Sequence, residues 1–148
     1  MADLEDLARR SADSMWADDA ASRMLGMKIV AVGPGSATVS MTVREDMING
    51  WGLCHGGLVA SLADSAFALA CNSRGPVTVA AGFEVDFLEP ARSGQVLDAH
   101  AREVALRGRS GLYDVTVRVG ETVVAEFRGR SRALVGAPRA LPESGANP

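Results

Sequence analysis

Between Cys54 and Cys71 the chain reads C-H-G-G-L-V-A-S-L-A-D-S-A-F-A-L-A-C, and its apolar residues follow no single stripe. Leu58, Val59, Leu62, Ala63, Ala66, Phe67, Leu69 and Ala70 cover nearly the whole circumference of a helix. A helix that is apolar all round belongs inside a protein. Asp64 is the one charge in it, and no other carboxylate occurs between Asp46 and Glu84. Burying a charge without a partner is costly, so this acid needs a partner or a function.

Elsewhere the period changes. Leu4, Leu7, Ala8, Ser11, Met15 and Trp16 recur at helical spacing with charges between them, which predicts helix over 2–25. A second short helix over 18–25, stopped by Gly26, fits the end of this stretch. Trp16, Met24 and Leu25 offer apolar anchors, so docking is expected from Met15 onward. Residues 27–32 and 37–43 read as strands around the turn Gly33-Pro34-Gly35-Ser36. Residues 44–53 form a loop, and the Gly75-Pro76 pair stops the apolar helix. Further strands are expected at 77–87, 96–106, 112–119 and 122–134. Breaks fall at 89–94, at a turn or bulge over 108–111 and at Gly120-Glu121. Tyr113, Val115, Val117 and Val119 alternate with polar residues, as in a strand with one buried face.

This order of elements predicts an α+β fold with an antiparallel sheet. A strongly curved sheet wrapped around the apolar helix would cover it, with a partner subunit covering the remainder. Residues 1–24 are assigned to an N-terminal helical segment, 25–135 to the domain, and 136–148, polar with Gly and Pro, to a flexible tail.

The length of 148 residues and a hydrophobic content of 47% suit one domain with a proper core. A net charge of −3 argues against nucleic acid as a partner. Cys54 and Cys71 flank the apolar helix and lie about 25 Å apart along it, too far for a disulfide. Free thiols fit a reducing compartment. Residues 1–10 lack the apolar run of a signal peptide, and no apolar stretch is long enough to span a membrane. The expected location is the cytoplasm.

The candidate chemistry collects on the apolar helix. His55-Gly56-Gly57 opens it, where the first amides lack internal partners and the dipole is positive. Such a terminus can hold a developing oxyanion; the glycines equally suit a tight turn, with His55 as N-cap. Asp64 lies about 12 Å beyond Gly56 along the axis. If both serve one site, a second antiparallel copy of the helix must supply one of them; otherwise Asp64 is a structural acid. Asn49 can orient water or a carbonyl, or simply form a turn beside Gly50. Ser65 has at most a positional role. Arg107-Gly108-Arg109-Ser110 and Arg128-Gly129-Arg130-Ser131-Arg132 are solvated strand edges or, together, the mouth of a phosphate site. His55 and His100 show no metal-ligand spacing with the cysteines. No nucleophile elbow, P-loop or dinucleotide fingerprint occurs. Cys54 beside His55 is a weak thiol–base pair, because adjacent residues rarely face one another.

Several of these motifs occur together in a known family. Ile48-Asn49-Gly50, Cys54-His55-Gly56-Gly57, Ser61-Leu62-Ala63-Asp64-Ser65-Ala66-Phe67-Ala68 and Ala70-Cys71-Asn72-Ser73 closely resemble the hotdog-fold acyl-CoA thioesterases of the phenylacetate-pathway (PaaI) type. Val85-Asp86-Phe87-Leu88-Glu89-Pro90, Gly111-Leu112-Tyr113-Asp114-Val115 and Phe127-Arg128-Gly129-Arg130-Ser131 extend the resemblance over about residues 25–134.

The resemblance implies a hotdog fold and dimers with sites at the interface, commonly paired into homotetramers. It implies hydrolysis of an aryl- or arylacetyl-CoA, with no cofactor because CoA is part of the substrate. Asp64 would be the nucleophile or general base, Gly56 the amide donor to the thioester oxygen, Asn49 a positioning group and His55 a support for the loop. Gly57, Ser65, Arg109, Ser110 and Gly111 are the candidate substrate-binding residues. Ala68 stands where another branch carries a hydroxyl one turn after the acid, which favours the phenylacetate type. A hotdog-fold enoyl-CoA hydratase or dehydratase, and a non-catalytic acyl-CoA binding module, are the alternatives.

Overall fold

A computed structural model describes residues 3–135. Helices α1 (Leu4–Ala17) and α2 (Ala20–Met24) lead into strands β1 (Lys28–Gly33) and β2 (Ser36–Thr42). A single 3-10 turn, Glu45–Met47, precedes the long helix α3 (Gly56–Cys71). Strands β3 (Thr78–Phe87), β4 (Val96–Arg107), β5 (Ser110–Val119) and β6 (Thr122–Ala133) follow among the described residues. One antiparallel sheet of order β1-β2-β4-β5-β6-β3 holds all six strands. The fold is the expected α+β hotdog, with α3 lying mainly against β2, β4 and β5.

Register explains how the sheet receives the helix. Val39 pairs with Ala99, Ala99 with Val117, and Val117 with Ala125, and all four are fully buried. Ala37, Ala101, Val115 and Phe127 form the next buried row. Ala99 between Val39 and Val117, and Ala101 between Ala37 and Val115, leave a trough in the inner face along β4. Phe67 of α3 fills the far end of that trough, its ring centroid 5.6 Å from Tyr113 and 5.8 Å from Phe127. A Cβ on Gly129 would sit 2.8 Å from the Phe67 ring, so glycine in β6 is what admits it. Leu62, Ala63, Ala66, Phe67 and Ala70 have no exposed surface.

Two expectations need correction. The N-terminal segment docks from Ala8, not from Met15: Ala8, Ser11 and Ala12 are buried, and the Ser11 hydroxyl donates to the Asn72 carbonyl at 2.7 Å. Small residues let α1 come close to the end of α3, whereas Met24 is 66% exposed and anchors nothing. The break expected over 108–111 is narrower, because β5 already begins at Ser110 and the irregularity in the β4–β5 pairing lies between Glu103 and Ala105. The flexible tail expected at 136–148 lies outside the described residues. Among the described residues no helix is long and apolar enough to cross a membrane.

The wrapping is incomplete. Along α3 the residues Ala60, Ser61, Asp64 and Ala68 are only half-buried. Beside them, edge strand β3 and its continuation expose Val79, Phe83, Phe87 and Leu88. Natural edge strands are normally blunted by charge, proline or a bulge; β3 has a register irregularity between Ala80 and Gly82 and carries Glu84 and Asp86, and large apolar side chains still stand along it.

Candidate active site

The start of α3 is fixed by backbone bonds. The Cys54 amide donates to Ala91 O and the His55 amide to Met47 O, each at 2.8 Å. Asn49 folds the loop between them: its Oδ1 accepts from the Trp51 amide at 2.9 Å and the Leu53 amide at 3.1 Å. Asn49 is thus a turn former whose side chain also lines the adjoining cleft.

His55 is the N-cap. Its Nδ1 accepts from the Gly57 amide at 3.1 Å, so the ring is turned to the helix end. Gly57 has committed its amide there, and neither residue lines the cleft. Gly56 differs from both. As the first helical residue it has no intrahelical acceptor, and among the described residues none is bonded to its amide. Gly56 borders an apolar cleft of about 350 Å³ with Leu53, Cys54, Val59, Phe87 and Val124. Phe87 closes over it: a Cβ on Gly56 would lie 3.1 Å from that ring. These cleft residues escaped the sequence reading, since they come from a loop, a helix and two strand ends.

Asp64 lies two turns further on and borders a different cleft, of about 230 Å³, with Met15, Phe67, Ala68, Cys71 and Thr78. Among the described residues no hydrogen bond reaches its carboxylate. Burial, reinforced by the negative charge of Asp19, raises its pKa above the usual carboxylate range. A half-buried, unbonded carboxylate of raised basicity is suited to taking a proton or attacking a carbon. Ser65 turns elsewhere, its hydroxyl 2.8 Å from that of Ser22.

The remaining candidates separate. Ser110 and Gly111 border a groove of about 400 Å³ together with Arg107, Arg130 and Arg132. Arg109 borders a small crevice of about 80 Å³ beside Arg74 and Tyr113. Arg128 is tied to Asp114, with Nε 2.6 Å from the carboxylate, and holds the Asp114 pKa below its usual range. Arginines two residues apart on a strand share a face, which groups Arg130 with Arg132 and leaves turn residue Arg109 apart. Neither Cys54 nor Cys71 is in a disulfide and both are buried, and burial pushes the Cys54 thiol pKa up, against a nucleophilic role.

The chain is similar to known proteins. The Thioesterase superfamily profile matches residues 52–126. The chain is 42% identical over 130 residues to acyl-coenzyme A thioesterase PaaI of Escherichia coli, covering 87% of this chain and 93% of that protein. It is 37% identical over 111 residues to human acyl-coenzyme A thioesterase 13, covering 72% and 79%. The solved structure of the E. coli PaaI protein, from the phenylacetic acid degradation operon, superposes with a TM-score of 0.89 at 40% identity, covering 90% of this chain and 98% of that one.

Proposed function

This chain belongs to the Thioesterase superfamily and is an acyl-CoA thioester hydrolase, and from that premise we propose that its substrate is an aryl- or arylacetyl-CoA, cleaved between two antiparallel copies of α3. One observation carries the two-copy reading: Gly56 and Asp64 belong to one helix but border separate clefts. A second copy brings its Asp64 to the first copy's Gly56. The apolar face on which they would meet is the exposed row Val79, Phe83 and Phe87 beside the half-buried stripe of α3. The assembly is a homodimer that pairs further into a homotetramer.

In the reaction the thioester oxygen accepts a hydrogen bond from the Gly56 amide, where the helix dipole favours developing negative charge. The second copy's Asp64 either takes a proton from water, which adds to the carbonyl carbon, or attacks that carbon itself, after which water releases the acid. The C–S bond breaks in both cases, and CoA leaves as the thiolate and takes up a proton. Water and thioester supply every atom, so no cofactor is required. Asn49 orients the reacting groups at the cleft wall.

The apolar cleft under Phe87, Val59 and Leu53 suits an aromatic acyl group. The groove bordered by Arg107, Arg130 and Arg132 with Ser110 and Gly111 suits the phosphates of CoA. Two buried cysteines in no disulfide fit a reducing location such as the cytoplasm. A hydratase would need His55 as an acid–base in the cleft, whereas its Nδ1 caps the helix. A thiol-release screen over aromatic and aliphatic acyl-CoAs tests the substrate class, with arylacetyl-CoA expected to give the highest kcat/KM. Uniformly faster cleavage of aliphatic thioesters would overturn that choice.

A further inference from the structure

The segment before Leu25 carries no sequence motif, yet Met15 forms part of the wall of the Asp64 cleft. Asp19, the N-cap of α2, is held at both oxygens: Oδ1 accepts from the Ser22 amide at 2.9 Å and Oδ2 from the Ser22 hydroxyl at 2.7 Å. That hydroxyl is 2.8 Å from the hydroxyl of Ser65, the residue next to Asp64, and Ser22 is only 2% exposed. A carboxylate only accepts hydrogen bonds, so Ser22 donates to Asp19 and accepts from Ser65. The direction of the whole relay, Ser65 to Ser22 to Asp19, is therefore fixed.

We propose that α2 is the working part of the N-terminal segment and that Asp19, joined through Ser22 to Ser65, is a positioning residue for the Asp64 carboxylate. The inference rests on the reading of Asp64 as the catalytic carboxylate. Ser22 bonds both oxygens of Asp19 and the hydroxyl of Ser65, which fixes the place of the Asp19 charge against α3. That negative charge disfavours a second charge nearby and makes Asp64 a stronger base.

The other groups around the cleft leave this role to Asp19. α1 presents Met15, and β3 presents Thr78, Val79 and Ala80. α3 itself adds the Cys71 thiol. Arg23 of α2 directs its guanidinium to the carbonyls of Trp16 and Ala17, and Asp18 is exposed at the α1 C-cap.

Asp19→Asn keeps the size of the cap and one of its two acceptor oxygens, which can still take the Ser22 amide, while removing the charge, since Asn caps a helix about as well as Asp. In the full-length enzyme this substitution is expected to move the acid limb of the kcat/KM profile to lower pH and to lower kcat. KM for the acyl-CoA is expected to stay at the wild-type value. Asp18→Asn, one residue away, is expected to leave the profile in place. A carboxyl-carbon NMR titration of Asp64 reads the same downward displacement without turnover. An Asp19→Asn profile superposed on that of wild type, with an unmoved Asp64 titration, overturns the inference. Asp64→Asn separates the two readings. If it is inactive while Asp19→Asn changes nothing, only the role of Asp19 fails; if it keeps wild-type activity, the catalytic reading of Asp64 fails with it.

Discussion

The two ends of the chemistry on α3 are built by different means. At the helix start the group on offer is a backbone amide, and backbone holds it: Cys54 to Ala91, His55 to Met47, and an Asn49 side chain bonded only to amides. Two turns on, the group is a side chain, and side chains from a separate segment surround it: Met15 in the cleft wall, with Asp19 and Ser22 behind Ser65. An oxyanion donor needs rigidity above all, and a closed loop of backbone bonds supplies that. A base needs a tuned proton affinity, and that is set by burial and neighbouring charge. The difference predicts that substitutions at the first end disturb geometry, whereas those at the second disturb charge and titration.

The largest expected effect is at Asp64. Asp64→Asn keeps the shape and removes the base, so kcat is expected to fall by on the order of 10²–10⁴ in a thiol-release assay. Wild-type rates across an acyl-CoA panel would remove Asp64 from the mechanism.

Gly56→Ala tests the other end and is expected to cost less. It retains the amide, but its Cβ would lie 3.1 Å from the Phe87 ring, so either the ring or the helix start must move. A displacement near the reacting atoms can lower the rate by up to about 10²-fold. Phe87→Leu in the same chain is expected to recover part of the loss. If the double variant is no better than Gly56→Ala alone, the ring is not what confines this terminus. Neither change should move the acid limb of the pH profile, and that is where the two ends ought to separate.

Much of this was legible in the sequence because the signals were costly ones. An acid in a helix apolar all round stands out, since burial without a partner is expensive, and Asp64 does emerge half-buried and unbonded. Alternation in β5 and the Gly and Pro turns gave the strands nearly to their ends. What escaped had no local signal. Ala8 and Ala12 dock α1 by being small, a property that hydropathy does not register. Phe87 meets Gly56 only after β3 has been placed, and Arg109 parts from Ser110 and Gly111 only once the β4–β5 turn is set. Asp19 and Asp64 are far apart in the chain, and only the packing of α2 brings them into one electrostatic environment.

Ser11→Ala probes whether the N-terminal segment serves one end only. It deletes the bond to the Asn72 carbonyl, at a cost of about 1 kcal/mol in unfolding free energy. Looser docking of α1 should raise hydrogen exchange around Met15 and at the end of α3, leaving the amides of Cys54 and His55 protected. Equal loss of protection at both ends would mean that the helix responds as one body.

The smallest expected effect concerns stability, and its sign follows from the raised pKa of Asp64. A carboxyl group that is harder to ionise in the folded chain than in the unfolded one penalises folding once the pH exceeds the unfolded value, and the full penalty is reached above the folded value. Below the unfolded value both states are protonated and the penalty is absent. Asp64→Asn should therefore unfold at a higher temperature than wild type at neutral pH, with the difference shrinking as the pH falls through the carboxylate range. The increase should be smaller in an Asp19→Asn background, where part of the cause has already been removed. A charge kept at the expense of stability marks Asp64 as a functional group, whereas a structural acid would show the opposite sign.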